Sequence, residues 1–318
     1  MIVGKVSSLT DLSVDLAGVR LENPLIIASG ILSQHLLRRC IDAGVGAVTT
    51  KSITPKPMEG HPPPSIIDVD VGLINAVGLR NPGIEAFEDE MRRLVEYAHG
   101  RGVKVIGSVA APSIDGYVEV AGRMEDYGAD IVELNVSCPT IEEVHSMGSS
   151  PKTVGRLVGE VDGALCIPLS VKLSPELREF TDIAEEAISS GADILSLVNT
   201  ISPATSIDIW RGEIRLRCPG GVGGLSGKAL KPIALARVLM TYREMEAPII
   251  ASGGVSSWED VVEMIYAGAT AVSFLTALLK RGEPTMIGEM LRGLRNFMER
   301  LGFGKVEEMR GYALRKRS

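Results

Sequence analysis

Cysteine is scarce in this chain and never clustered. The four cysteines among 318 residues (Cys40, Cys138, Cys166 and Cys218) stand far apart with no C-x-x-C pair, leaving no pattern for a zinc site or a disulfide framework. No apolar run approaches the roughly 18 residues that a membrane span requires. The opening residues, Met1 to Lys5, lack the charged-then-apolar order of a signal peptide. Excess positive charge is missing too: the net charge of −7 offers no basic footprint for nucleic acid or an anionic membrane. Arg310, Arg315, Lys316 and Arg317 near the end read as a solvated tail. No G-x-G-x-x-G follows a first strand, which disfavours a dinucleotide-binding fold. The expectation is a reduced, cytoplasmic protein with no membrane or nucleic-acid partner.

What is present is apolar patterning in abundance. With 45% hydrophobic and 23% charged residues, the chain can bury a large core. One short pattern recurs four times, at Ala43-Gly44-Val45-Gly46, Tyr127-Gly128-Ala129-Asp130, Ser190-Gly191-Ala192-Asp193 and Ala267-Gly268-Ala269-Thr270. In each, an amphipathic stretch ends at glycine and an apolar run starts two or three residues later, as in the helix-to-strand turn of a repeated βα unit. Strands are expected at Leu25–Ser29, Ala47–Lys51, Val103–Val109, Ile131–Asn135, Leu169–Leu173, Ile194–Asn199, Pro248–Ser252 and Ala271–Leu275. Helices are expected near 33–43, 84–100, 116–127, 153–163, 179–190, 228–245, 256–267 and 284–300. Eight alternations imply an α/β fold, a closed (β/α)8 TIM barrel forming one domain over 1–318. Leu12–Leu16 and Val19–Leu21 form an expected N-terminal β-hairpin over the barrel floor. Two long connections, 52–83 and 200–227, follow strands two and six and so belong to the face where barrels keep their chemistry. They read as a lid.

Nearly every expected strand ends in a polar residue. The ends supply Ser29, Lys51, Ser52, Ser108, Asn135, Lys172, Asn199, Thr200, Ser252 and Thr276. After strand four comes Leu134-Asn135-Val136-Ser137-Cys138-Pro139, with a thiol placed to act as a nucleophile or as a base toward carbon. Most free cysteines are simply small buried hydrophobes, and that alternative stands beside it. Lys172 lies inside the apolar run Leu169–Leu173; it would point into the barrel mouth, where a buried cation needs an anionic ligand or a reduced cofactor as partner. The other reading is a lysine that snorkels to solvent. Gly220-Gly221-Val222-Gly223-Gly224-Leu225-Ser226-Gly227 and Ser252-Gly253-Gly254 suit the phosphate site of such barrels, though glycines also make plain tight turns.

With these residues in place, the chain resembles the class 1 dihydroorotate dehydrogenases, soluble flavin enzymes with a cysteine base. The matching segments are Asn23-Pro24, Ala28-Ser29-Gly30, Thr50-Lys51-Ser52, Asn75 through Gly83, Leu134 through Pro139, Val171-Lys172-Leu173, Asn199-Thr200, Gly223 through Pro232 and Ser252-Gly253-Gly254. The resemblance implies oxidation of (S)-dihydroorotate to orotate in pyrimidine biosynthesis, with FMN on the barrel rim. The FMN phosphate would rest on Gly227, Gly253, Gly254, Leu275 and Thr276. Its ring and ribityl chain would be lined by Ser29, Lys51, Ser52, Ser108, Asn135, Lys172 and Val198. Substrate would meet Lys51, Asn75, Ala76, Val77, Gly78, Leu79, Asn135, Asn199 and Thr200. Cys138 would take the C5 proton while C6 delivers hydride to the flavin, and Lys172 would offset the charge of the reduced ring. No metal is implied.

The chain departs from the family pattern at Thr140, Met58, His61 and Ser65, where the family carries Asn, Arg, Asn and Arg. Leu275 replaces a glycine of the phosphate turn. These changes bear on substrate identity, so another dihydropyrimidine or cyclic amide is the alternative substrate. Two further readings are a dihydrouridine synthase-like flavin barrel, disfavoured by the charge of −7, and a non-catalytic binding barrel. The resemblance also implies a homodimer and a possible iron–sulfur/FAD partner subunit for electron transfer.

Overall fold

Serine begins four of the helices, and in each its side chain accepts a hydrogen bond from a backbone N–H in the first turn. The pairs are Ser33 with Leu36, Ser113 with Gly116, Ser150 with Thr153 and Ser257 with Asp260. The recurring glycine after a helix turns out left-handed in all four copies: φ is 85° at Gly44, 98° at Gly128, 116° at Gly191 and 122° at Gly268. An L side chain there would be strained, so the helix ends on cue and the following strand starts in register.

The computed structural model describes residues 10–30, 33–136 and 147–315. Eight parallel strands close into a barrel: β3 (Leu25–Ile27), β4 (Ala47–Thr49), β7 (Lys104–Val109), β8 (Ile131–Asn135), β9 (Leu169–Leu173), β10 (Ile194–Leu197), β15 (Ile249–Ser252) and β16 (Ala271–Phe274). β16 pairs back with β3 through Val272, Ser273 and Phe274. This is the expected (β/α)8 barrel; β3, β4, β10 and β16 end one or two residues before the expected bounds, where the chain turns into the rim, and β7 and β15 start one residue later than expected. Side chains such as Ile26, Val48, Ile106 and Val171 are fully buried in one continuous core with the helices. An antiparallel hairpin, β1 (Val14–Leu16) with β2 (Val19–Leu21), buries Leu16 and Leu21 in that core next to the start of β3.

The two long connections are not irregular loops. The first carries β5 (Ile66–Val69) and β6 (Gly72–Asn75), and the second carries β11 (Ile201–Ala204), β12 (Ile207–Asp208), β13 (Glu213–Ile214) and β14 (Gly223–Ser226). β5, β6, β14 and β11 make a single four-stranded antiparallel sheet, joined across its middle by Gly224–Asn75, Leu225–Ile74 and Ser226–Leu73. A second small core of Ile67, Ile74, Ala76 and Leu216 lies within it. The glycines that suggested a loop are what let the strands approach. A Cβ on Gly223 would stand 2.3 Å from the Asn75 carbonyl oxygen, and one on Gly224 would stand 2.1 Å from Thr200 Oγ1. Among the described residues, no helix is long and apolar enough to cross a membrane.

Candidate active site

The C-terminal ends of the barrel strands surround one cleft, and the four-stranded sheet forms part of its wall. Ser29 and Gly30 follow β3, Lys51 and Ser52 follow β4, and Asn135 and Lys172 come from β8 and β9. Val198, Asn199 and Thr200 follow β10, Gly227 follows β14, Gly253 and Gly254 follow β15, and Leu275 and Thr276 follow β16. Asn75, Val77, Gly78 and Leu79 close the cleft from the sheet side. Leu73, Leu230, Phe274 and Leu279 give it apolar flanks.

Two residues of the expected set stand elsewhere. Ser108 is fully buried behind Ser52, with its hydroxyl 2.9 Å from that of Ser52. Ala76 packs into the small core of the sheet, because alternate residues of an extended segment face opposite sides. Cys138 and Thr140 lie outside the described residues. Of the glycine run 220–227, only Gly227 reaches the cleft; Gly223 and Gly224 belong to β14.

A directed hydrogen-bond network crosses the rim. Asn199 Nδ2 donates to Asn135 Oδ1 at 3.2 Å, and Asn135 Nδ2 donates to Ser52 Oγ at 3.0 Å. The Ser52 hydroxyl also lies 3.4 Å from that of Ser29. Tyr117, fully buried, donates to the Asn135 carbonyl at 2.8 Å and holds that residue's backbone. The Asn135 carboxamide is thus fixed in orientation from both sides, as recognition of a polar ring edge demands.

Lys172 is 6% exposed and on the cleft floor. Its counter-charge is part of the protein: Glu133, two residues before Asn135 on β8, accepts from Lys172 Nζ at 3.4 Å. Nothing in the sequence had marked Glu133, since a lone glutamate in an apolar strand carries no spacing signal. Only the pairing of β8 with β9 brings the two together.

Segment 75–81 is shaped with unusual care. Leu79 has φ of 52°, left-handed for a leucine, next to Gly78 at 70°. Asn81, buried, holds the turn by donating to Leu79 O at 2.7 Å and accepting from Gly83 N at 2.9 Å. Met58 and Asn81 exchange backbone hydrogen bonds, His61 N donates to Val77 O, and Ser65 O accepts from Ala76 N. The three variant positions Met58, His61 and Ser65 therefore back this segment and do not line the cleft. The His61 ring lies against Gly78, where a Cβ would approach it to 2.9 Å.

At the other end, a Cβ on Gly253 would come within 2.9 Å of the Ala234 Cβ, and one on Gly254 within 2.6 Å of the Lys231 Cβ. Both glycines have positive φ, so the turn after β15 packs tightly on the start of helix Lys231–Glu244. The donor set suits a planar ring with a phosphate tail: apolar flanks for the ring, amides and lysines for its polar edge, and glycine backbone at one end.

The family model described as Dihydroorotate dehydrogenase matches residues 11–298. The chain belongs to the dihydroorotate dehydrogenase family. A family member from Methanothermobacter thermautotrophicus, named dihydroorotate dehydrogenase B (NAD(+)), catalytic subunit, is 38% identical over 306 residues, 95% of this chain and 98% of that protein. One of the same name from Thermoplasma volcanium is 39% identical over 311 residues, 97% of this chain and 100% of that protein. A crystal structure of DHODH from Eimeria tenella in complex with ferulenol has the same fold, with a TM-score of 0.82 at 24% identity, covering 96% of this chain and 89% of that one.

Proposed function

We propose that this chain binds FMN in the cleft and oxidises (S)-dihydroorotate to orotate in pyrimidine biosynthesis. The observation that carries the reading is the convergence of Lys51, Asn75, Asn135, Lys172 and Asn199 on one cleft of a dihydroorotate dehydrogenase-family barrel. Backbone groups at Gly227, Gly253, Gly254, Leu275 and Thr276 would hold the phosphate. Ser29, Lys51, Ser52, Asn135, Lys172 and Val198 would line the ring and ribityl chain, with Ser108 acting through Ser52. FMN, when bound, supplies the acceptor for the hydride that leaves C6 of the substrate.

The chain's own residues have three tasks. Lys51, Asn75, Asn135 and Asn199 orient a flat, polar, anionic ring by hydrogen bonds, with Val77, Gly78, Leu79 and Thr200 shaping the remainder of the wall. Cys138 removes the C5 proton as a thiolate, so the C5–H electron pair becomes the new C5=C6 bond. Lys172 places a fixed positive charge at the floor before any charge develops there, which avoids reorganisation during reaction.

The relatives' name extends the reading to assembly. We infer a catalytic subunit, itself a homodimer, that passes electrons to an iron–sulfur/FAD partner subunit and through it to NAD. The hairpin of β12 and β13 supports a protein contact: Trp210 is 91% exposed, and Ile207, Ile209 and Ile214 beside it are also exposed.

Anaerobic titration of the oxidised protein with dihydroorotate tests the proposal. Absorbance at about 450 nm, a property of bound flavin, should bleach in proportion to added substrate. A protein reduced only by a different dihydropyrimidine would overturn the substrate assignment, and one that takes up no flavin would overturn the cofactor assignment.

A further inference from the structure

We propose that Glu133 is a positioning residue that tunes the electron affinity of the cofactor by sharing the Lys172 ammonium with it. This rests on the reading of the cleft as an FMN site.

Glu133 is 3% exposed and does not line the cleft, so it touches neither cofactor nor substrate. Both of its oxygens are engaged: Oε1 accepts from Lys172 Nζ at 3.4 Å, and Oε2 accepts from Ser196 Oγ at 3.0 Å. Ser196 is fully buried on β10 and Lys172 lies on β9, so the carboxylate on β8 is held from the next two strands of the barrel. The chain thus stacks a fixed anion, a fixed cation and then the ligand space, in that order, inside the barrel.

Stability gives a poor reason to keep such a pair. Taking two charges out of water costs more than their attraction commonly returns, and well-packed apolar replacements are often neutral or stabilising. Val132, Leu134, Val171 and Leu195, which alternate with these residues and face the opposite side of the strands, are apolar and fully buried, so the strands themselves need no charge to pack. A pair retained there, one member of which lines the cleft, answers to the ligand. Two-electron reduction adds negative charge to the ligand, and the low dielectric of a barrel interior makes that charge sensitive to every fixed charge nearby. Lys172 favours the reduced form. Glu133, behind it, opposes that preference and holds the ammonium back, so the pair sets the electron affinity at an intermediate level instead of the high level of a lone cation.

Glu133→Gln keeps the shape, with its carbonyl oxygen accepting from Lys172 and its amide NH2 facing the Ser196 hydroxyl, while removing the anion. In the FMN-loaded variant the ratio of reduced to oxidised cofactor at a fixed potential should rise about tenfold or more, a midpoint about 30 mV less negative for a two-electron couple. Glu133→Asp keeps the charge but draws it back from Lys172. It should move the midpoint the same way by about threefold, roughly 14 mV, and it decides the matter if the glutamine variant does not fold. FMN stoichiometry and the circular dichroism spectrum are read on the same samples. A folded, FMN-loaded variant whose midpoint is unchanged or more negative would overturn the role of Glu133. Wild-type protein that binds no FMN would instead overturn the cofactor reading beneath it.

Discussion

Leu275 lies across Gly30 so closely that a Cβ built on Gly30 would stand 2.6 Å from the Leu275 Cδ2. The bulky residue at the turn after β16 thus finds its room over a glycine at the turn after β3, on the far side of the seam where the barrel closes. Gly30 also has φ of 144°, a conformation that L residues seldom adopt. Gly30→Ala should cost about 1–3 kcal/mol in chemical unfolding and weaken cofactor binding. Adding Leu275→Ala should restore part of the loss, leaving the backbone strain. Additive effects in that double-mutant cycle would show that the two residues do not compete for the same space.

Lys172→Met should leave the Glu133 carboxylate buried beside an apolar chain and cost about 3–5 kcal/mol near neutral pH. Glu133→Leu combined with Lys172→Met should regain most of the stability. Urea unfolding at neutral pH compares wild type with the two variants.

Asp260 joins two helices at the glycine-turn end of the cleft. It accepts from Lys231 Nζ at 2.6 Å, from Ser256 N and from Ser256 Oγ, and it belongs to the capping box of helix Trp258–Ala267. Burial pushes its carboxyl up, but the hydrogen bonds from Lys231 and Ser256 together outweigh that and hold it below the usual carboxylate range. Hydrogen bonds to Asp260 and then Glu263 push Lys231 up. The Asp260 contribution is therefore present above the ordinary carboxylate value of about 4 and lost as pH falls through the lowered one. The Lys231 contribution is present below the ordinary lysine value of about 10.4 and lost as pH rises through the raised one. Asp260→Asn should cost about 1–3 kcal/mol at pH 7, with the gap to wild type narrowing below about pH 4. A gap that stays constant down to pH 2 would contradict this assignment.

Burial pushes the Cys40 thiol up to about 12, so it stays neutral and inert in the folded protein. Cys166 is exposed. Alkylation by iodoacetamide at pH 8, read by mass spectrometry, should modify Cys166 in the native protein and Cys40 only after denaturation. Equal labelling of both in the folded state would contradict the packing of helix Gln34–Asp42.

Cys138→Ser should slow reduction of bound flavin by dihydroorotate by about two orders of magnitude or more, the usual scale for loss of a general base, with FMN still bound. Stopped-flow reduction at an unchanged rate would remove Cys138 from its proposed task.

The barrel was legible because its signals are local: the glycine turn repeats four times, and each copy closes a helix and opens a buried strand. The rim was legible for the same reason, since a strand's last residue faces the mouth whatever surrounds it. Glu133 and Ser108 were not readable in their roles. Each depends on a neighbour strand's register, which brings Glu133 beneath Lys172 and Ser108 behind Ser52. The strands β6 and β14 were hidden because Gly72, Gly223 and Gly224 have poor strand preference and are needed for close approach, Gly72 to the Ser226 carbonyl, Gly223 to the Asn75 carbonyl and Gly224 to the Thr200 side chain.

The ladder from Leu73–Asn75 to Gly224–Ser226 ties a connection that leaves the barrel after β4 to one that leaves after β10. Neither flap can swing by itself. Any motion that widens the mouth must either carry both as a unit or unzip that ladder, so a hinge substitution on one side of the barrel should be felt by Thr200 and Asn199 on the other.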